Sequence, residues 1–426
     1  MANRLENYSP IFMPHSHRNV IVLSVRQRLF DVFKQIPSAR QTYDHAVDFL
    51  LEQGVNKNNY EAYRSELNFY LSWCWEQGID VTDVSRKHIL TFIEFGNTPP
   101  DELVTHKPAK MLIPDGEEYE INPEWRPFKK ASMGQPYSRK RSTIVRQLSV
   151  LSSFYIYLSD YNYCQSNPPS LALRRLNLGA MDNINAEDKD NKSLSQLQLS
   201  YMFRVLDELC LLNPARFERS RFLMYLMIMA FPRRSEVGAT LSYSPTMADF
   251  ERHSINGKTK FSFNIRKSKG GKSRKVGCPR LLIFALMRYR RHLGLPDLPT
   301  RAETDVPLFV RHKAAAHGRD TGVLDANLSD KVIADLIKEV YELTAIQLEN
   351  DEHFDEAESI RQLSAHSTRH TGITLALSAG RAPDKLMFDT GHSSLAALMI
   401  YNSRSLEYRI EDVEKLDERI IELAQG

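Results

Sequence analysis

Apolar side chains recur at three- and four-residue intervals along most of this chain, and that spacing commits it to helices. In SRKRSTIVRQLSVLSSFYIYLSD the stripe is Ile144, Leu148, Leu151, Tyr155 and Leu158; in NNYEAYRSELNFYLSWCWEQG it is Tyr63, Leu67, Tyr70 and Leu71. ARQTYDHAVDFLLEQG is expected to stop at Gly54 and the following helix at Gly78, each glycine serving as a left-handed stop. Asp83 or Ser85 is placed to cap RKHILTFIEF. Further on, LSQLQLSYMFRVLDELCLL and RFLMYLMIMAF read as helices, the second apolar enough to be buried nearly all round. One stretch follows another period. KFSFNIRKSKGGKSRKVGCP alternates apolar and polar on both sides of Gly270-Gly271, the pattern of a hairpin with a basic tip. The expected fold class is mainly α: two helical domains, the second with a small antiparallel β-sheet.

Shifts in composition mark the borders. Residues 1–38 read as an N-terminal extension and 39–175 as the first helical domain, interrupted at about 97–137 by a proline-rich insertion without sustained period. Asn167-Pro168-Pro169 is expected to end the last helix of that domain. Residues 176–193, including the polar DNINAEDKDNKS, read as a linker, and 194–405 as the second domain. Residues 406–426 form a C-terminal helix on paper, with Ile410, Val413, Leu416, Ile420 and Leu423 as an apolar stripe among acidic residues.

Composition excludes several classes. The longest apolar run, Phe222 to Phe231, is too short for a bilayer, so no membrane partner is expected. MANRLENYSP lacks the layout of a secretion signal. Cys74, Cys164, Cys210 and Cys278 lie far apart with no CxxC pair, which disfavours a disulfide scaffold or zinc knuckle and fits a reducing cytoplasm, bacterial cytoplasm or nucleoid. Net charge is only +3, but its distribution is uneven. Between Arg252 and Pro296 there are thirteen Lys or Arg and no Asp or Glu. A second acid-free stretch, Arg126 to Ser159, holds Arg139, Lys140, Arg141 and Arg146. Either stretch alone reads as readily as a solvated face. Together they point to a polyphosphate partner, with Arg139, Lys140, Arg141, Arg146, Lys267, Lys272 and Arg274 as candidate DNA contacts. Cations leading the helix at 141 oppose its dipole, so a negative group is expected there.

Phosphoryl chemistry without a metal requires cations and hydrogen-bond donors around the nonbridging oxygens, a nucleophile, and a proton source for the leaving oxygen. The second half carries such groups: Arg233 in AFPRRSEVGATL, Lys269 at the hairpin tip, His366 and Arg369 in AHSTRHTG, His392 in DTGHSS, and Tyr401 in LMIYNSRS. Singly they are weak signals. His366 and His370 invite a zinc reading, but HSTRH lacks the glutamate of HExxH and sets Arg369 between them. Tyr401 alone would be a packing aromatic.

Their order is more specific. R-x-S-E, a basic hairpin, H-x-x-R-H, G-H-S-S and a tyrosine nine residues later closely resemble the tyrosine recombinase (phage integrase) family over about 193–405, and more weakly over 39–169. The resemblance implies a helical, SAM-like core-binding clamp followed by a catalytic domain of the DNA breaking-rejoining fold. It implies Tyr401 as nucleophile, forming a 3′-phosphotyrosyl link, with Arg233 and Arg369 clamping the phosphate. His366 and His392 would add donors and manage the tyrosine proton, Lys269 would protonate the 5′-oxygen, and Glu236 would buttress Arg233. No cofactor or metal is implied. The partners implied are double-stranded DNA and further copies of the chain, as a tetramer on two duplexes passing through a Holliday junction, with an accessory directionality factor left open. The function implied is site-specific recombination for integration or excision of a mobile element. Pro232 departs from the family's usual small or apolar residue, the interval from Arg233 to Lys269 is long enough for an extra turn of sheet, and Lys267 and Lys272 compete for the lysine role. Whether the 406–426 helix docks in cis or in trans stays open. Two other readings share the fold: a type IB-like topoisomerase, which would relax plasmids as a monomer, and a non-catalytic DNA-binding regulator, which would be free to lose part of the reactive set.

Overall fold

The computed structural model describes residues 4–20, 22–107, 109–116, 118–130, 136–181, 193–240, 243–266, 272–314, 321–324 and 326–399. Lys267, Lys269, Tyr401, most of the expected linker and the helix expected at 406–426 lie outside the described residues. The chain divides into two compact units, Met1–Glu187 and Asp188–Gly426.

The first unit is built from α1 (Arg4–Asn7), α2 (Leu23–Gln35), α3 (Ala39–Glu52), α4 (Lys57–Glu76), α5 (Arg86–Asn97), α6 (Arg141–Asp160) and α7 (Pro168–Met181). Local sequence sets the ends. Asn56 caps α4 by accepting from the Asn58 and Asn59 amides, and Gly78, at φ 64°, stops it. Ser85 caps α5 in a reciprocal pair with His88. α3 instead ends in a 3-10 turn, Gln53–Val55, so Gly54 is not the left-handed stop the sequence pattern predicts. Leu148, Leu151 and Leu158 of α6 are buried in one core cluster with Tyr70 and Trp73 of α4 and Phe92 of α5.

Three boundaries differ from the sequence reading. Residues before Ser38 are not an appended tail: Tyr8, Ile11, Phe12, Met13, Val25 and Leu29 are buried in this unit's core, and the Ile11 amide donates to Asn68 Oδ1 at 2.6 Å. The proline-rich insertion holds short strands, β1 (Val104–Thr105) paired parallel with β4 (Phe128–Lys129) and β2 (Leu112–Asp115) antiparallel with β3 (Glu118–Ile121), and it buries Leu103, Leu112 and Phe128. Asn167-Pro168-Pro169 starts a helix rather than ending one. Asn167 Oδ1 accepts from the Ser170 amide at 3.0 Å, and a proline in the first turn costs no helical hydrogen bond. α7 therefore continues to Met181, into the stretch read as linker.

The second unit comprises α8 (Gln196–Leu212), α9 (Pro214–Met229), α10 (Arg234–Val237), β5 (Phe250–Ile255), β6 (Lys258–Ile265), β7 (Arg274–Cys278), α11 (Arg280–His292), α12 (Asp330–Asn350), α13 (Phe354–Gln362), α14 (Ser367–Ser378), α15 (Pro383–Thr390) and α16 (Leu395–Met399). α9 is the axis. Phe222, Leu223, Met224, Leu226 and Met227 are fully buried, with α8, α11 and α14 packed on it. The expected hairpin is β6–β7, with Ile265 opposite Arg274 and Phe261 opposite Cys278. A third strand, β5, extends the sheet beyond the expected hairpin. It pairs with β6 across Asn256-Gly257, whose φ angles of 50° and 71° make a two-residue turn. Phe250, Phe263 and Val276 lie side by side on the buried face. Among the described residues no helix is long and apolar enough to cross a membrane.

Candidate active site

The candidate residues come from four places in the second unit. Arg233 lies in the turn between α9 and α10, Arg274 opens β7, His366 and Arg369 lie at the start of α14, and His392 follows α15. Backbone sterics make these elements meet. Gly372 of α14 faces α9 so closely that a Cβ there would stand 1.9 Å from the Ile228 carbonyl oxygen. Phe231, just past α9, takes a left-handed φ of 53°, unusual for a bulky residue, and its carbonyl accepts from Arg369 Nη1. Arg369 Nη2 donates to the Thr390 carbonyl at the end of α15. One buried guanidinium thus joins the α9 turn, α14 and α15.

Glu236, in α10, is the second hub and is almost wholly buried. Its carboxylate accepts from the Arg233 amide at 2.7 Å and from Arg233 Nη1 at 3.0 Å. From the other side Arg274 forks onto it, Nη1 at 2.9 Å and Nη2 at 2.7 Å, while Arg274 Nε donates to the Asp389 carbonyl at 2.7 Å. Burial pushes the Glu236 carboxyl up, but the Arg274 hydrogen bonds and charge, then the Arg233 amide and charge, outweigh it and hold the group below the usual carboxylate range. The structure thus puts Arg274 inside the cluster as a brace, whereas the sequence reading made it an outward DNA contact.

His392 is set by the stop of α15. Gly391 sits at φ 67° and its amide returns to the Met387 carbonyl; the His392 amide bonds the same carbonyl at 3.2 Å. The ring's Nδ1 lies 2.7 Å from Thr390 Oγ1. Burial, then the charges of Arg369, Arg233, Arg274 and His366, push its pKa down to about 4, so the imidazole is neutral at physiological pH. The same four neighbours show that these side chains share one electrostatic site. His366 itself is exposed, its ring edge-on to His370 at 4.9 Å between centroids. Among the described residues no group of three or more His, Cys, Asp or Glu is placed to hold a metal ion.

The other predicted contacts separate. Lys272 is exposed near the hairpin tip. In the first unit Lys140, Arg141 and Arg146 are exposed, although Arg146 pairs with Glu66 at 2.8 Å and Arg141 donates to the Leu176 carbonyl of α7. That carbonyl answers part of the dipole penalty assigned to the start of α6. Arg139 is turned inward, contrary to expectation. Its guanidinium donates to Asn97 Oδ1 at 3.0 Å, Gln147 Oε1 at 2.9 Å and the Ile93 carbonyl at 2.9 Å, lying flat over Gly96. Sequence reasoning missed Thr390 and the Phe231 carbonyl. The first has no motif to announce it, and the second is a backbone atom that only a folded turn can aim.

A helical first unit and a second unit joining helices to a three-stranded antiparallel sheet, with arginines and histidines gathered from R-x-S-E, H-x-x-R-H and G-H-S-S, define the tyrosine recombinase, or DNA breaking-rejoining, fold. Among solved structures of that fold the chain is similar to the XerH site-specific recombinase bound to palindromic difH substrate, at 13% identity over 92% of this chain and 88% of that one, with a TM-score of 0.51. Weaker likenesses are to the Tn1549 transposon integrase in complex with transposon right-end DNA (13% identity, 88% of this chain and 99% of that one, TM-score 0.49) and to a lambda integrase dimer bound to a COC′ core site (10%, 90% and 88%, TM-score 0.41). No protein-family profile matches the chain, and no curated protein matches its sequence.

Proposed function

We propose that the protein is a site-specific DNA recombinase of integrase type, which cuts and rejoins DNA through a covalent 3′-phosphotyrosyl intermediate. The observation that carries this reading is the meeting of Arg233, Arg369, His366 and His392 beside the Glu236–Arg274 brace, where burial, and then the charge of these neighbours, holds His392 neutral. Guanidinium groups suit the task because a planar fork donates two parallel bonds to phosphate oxygens. A phosphodiester entering the cluster would meet Arg233 and Arg369, whose side chains are already fixed by carboxylate and carbonyl partners, so little reorganisation precedes reaction. In this reading Tyr401, two residues beyond α16, is the nucleophile. A phenol of ordinary pKa near ~10 is a poor nucleophile at neutral pH, and neighbouring cations stabilise both its phenolate and the pentacovalent phosphorus. Lys269, which falls in sequence between β6 and β7, protonates the departing 5′-oxygen. The covalent link retains the energy of the broken bond, so rejoining needs neither ATP nor a metal.

The recombination reading carries with it a tetramer on two duplexes, exchange through a Holliday junction, and a role in moving a genetic element. The sequence divisions proposed for it are a core-binding clamp and a catalytic domain, followed by a C-terminal helix that couples protomers. The test is adduct formation on a nicked duplex carrying the flanking DNA that the protein protects. An SDS-resistant protein–DNA adduct is expected in EDTA with the wild type and not with Tyr401→Phe. An adduct formed by the Phe variant, or a strict magnesium requirement, overturns the assignment.

A further inference from the structure

We propose that the first unit holds a receptor for a single nucleotide, base and phosphate together, in a cavity that the 97–137 insertion closes against α4 and α6. The cavity measures about 260 Å³. One wall is the turn Asn122-Pro123-Glu124-Trp125, in which proline takes the second place that suits its fixed φ. The Trp125 amide returns to the Asn122 carbonyl at 3.0 Å, and Asn122 Oδ1 accepts from the Glu124 amide at 2.9 Å. This turn brings the half-buried Trp125 to the cavity and pins Arg126 beside it, Arg126 Nη1 donating to the Pro123 carbonyl at 2.7 Å and the Trp125 carbonyl at 2.9 Å. Phe128 follows, its ring edge-on to Phe69 of α4 at 4.9 Å and to Tyr137 at 5.4 Å between centroids. The helices supply charge. Glu66 of α4 accepts from Arg146 Nη2 and Gln147 Nε2 of α6, both at 2.8 Å, and Arg64 Nε pairs with Glu61 at 2.9 Å.

Arg64, Arg126, Arg139 and Arg146 thus line the cavity with one carboxylate, Glu66. Arg139 is spent on Asn97, Gln147 and the Ile93 carbonyl. Among the described residues, however, Arg64 Nη2, Arg126 Nε and Nη2, and Arg146 Nε and Nη1 make no hydrogen bond. Unspent guanidinium donors suit a phosphate, and the indole and phenol rings next to them suit the flat face of a base. A bare inorganic anion would leave the rings idle, and an apolar guest would leave the cations unanswered. A nucleotide engages both. Size sets the upper limit, because drug-sized ligands take sites of ~300–1,000 Å³ and this one is smaller. One nucleotide suits it and a dinucleotide does not. Two sources offer that chemistry: a free mononucleotide, or one nucleotide unstacked from a DNA strand. The inference uses none of the candidate active-site residues and does not rest on the recombinase reading.

Tryptophan fluorescence of the full-length protein reads the site. Trp73 and Trp75, at 2% and 8% exposure, are core residues, so Trp125 is the one of the three tryptophans open to a guest. Saturable quenching by deoxyadenosine monophosphate is expected, with inorganic phosphate and deoxyadenosine each at least about 10-fold weaker, since each keeps only one half of the contacts. Arg126→Ala and Arg146→Ala should each weaken the nucleotide about 10–100-fold, as loss of a hydrogen bond to a charged group does, with the melting temperature checking the fold. A second arm compares a short duplex carrying one unpaired nucleotide with the same duplex fully paired. Stronger quenching by the unpaired form names a DNA strand as a source. Quenching by the mononucleotide with no difference between the duplexes names the free nucleotide. Phosphate or deoxyadenosine that binds as tightly as the nucleotide overturns the proposal, as does full-strength binding by both arginine variants. So does a wild type that neither responds to the mononucleotide nor separates the two duplexes. Formation of a covalent adduct bears on none of these outcomes, so this inference and the recombinase reading fail separately.

Discussion

At the scale of single residues, Arg233 and Arg274 of the candidate site are held by one buried carboxylate. Glu236 serves Arg233 three residues away and Arg274 thirty-eight residues away, and both guanidiniums would otherwise repel. Replacing it by glutamine keeps the shape and removes the charge, so Glu236→Gln is expected to destabilise the protein by about 3–5 kcal/mol, as breaking a buried pair does. The pH dependence has a defined sign. The folded carboxyl is held below the ordinary value near ~4.3, so its contribution is complete above that pH and is lost as the pH falls through the lower folded value. Denaturant midpoints should therefore separate wild type from variant widely at pH 7, and the gap should narrow below about pH 4. An equal gap at both pH values would mean that shape, not charge, is what Glu236 supplies. Motif order in the sequence singled out Arg233, Glu236, His366, Arg369 and His392, which the second unit brings together. The basic stretches, which made Arg274 and Arg139 DNA contacts, give no sign of which cations turn inward to meet a buried carboxylate or carbonyl, as these two do.

At the scale of elements, helices were the legible part, because a stripe of apolar residues and a capping serine act through nearest neighbours. Ser85 and Gly78 do what their positions foretell. Strand β5 carries a mixed signal: Asn256-Gly257 is the strongest short hairpin signal, but the alternation before it, FERHSI, is interrupted by charge. Pro168 misled for a different reason, since a proline suits the first turn of a helix as well as the end of the one before it. The packing of α14 on α9 leaves no trace in local pattern, because it depends on a glycine meeting a distant carbonyl. Gly372→Ala is expected to push α14 off α9, with a cost of at least the ~1–3 kcal/mol of an overpacked core. Adduct formation should fall further than stability alone explains, since Arg369 rides on the same helix. A variant with wild-type melting temperature and activity would show that the two helices have slack.

At the scale of the whole molecule, two basic stretches in different units led to a nucleic-acid partner, and the structure sorts their members. Arg139 is committed to Asn97, Gln147 and Ile93, whereas Lys140 and Arg141 are exposed at the head of α6. Neutralising Lys140 and Arg141 is expected to weaken DNA binding and reduce its salt slope by about one for each phosphate no longer neutralised. Arg139→Ala is expected to lower the thermal stability of the first unit and leave the slope alone. A steepness that follows Arg139 but not the other two would reverse the assignment. The ion pair of Glu236 with Arg274 has a consequence at this scale as well. Arg274 is the first residue of β7, and its partner across the ladder is Ile265. Were β7 to slide by two residues, the side chains would keep their faces but Arg274 would move about 7 Å along the sheet, leaving a carboxylate stranded in the interior. A mispaired sheet is thus penalised at the candidate site itself, so a chain that has gathered these charged side chains has, by the same act, verified the alignment of its strands.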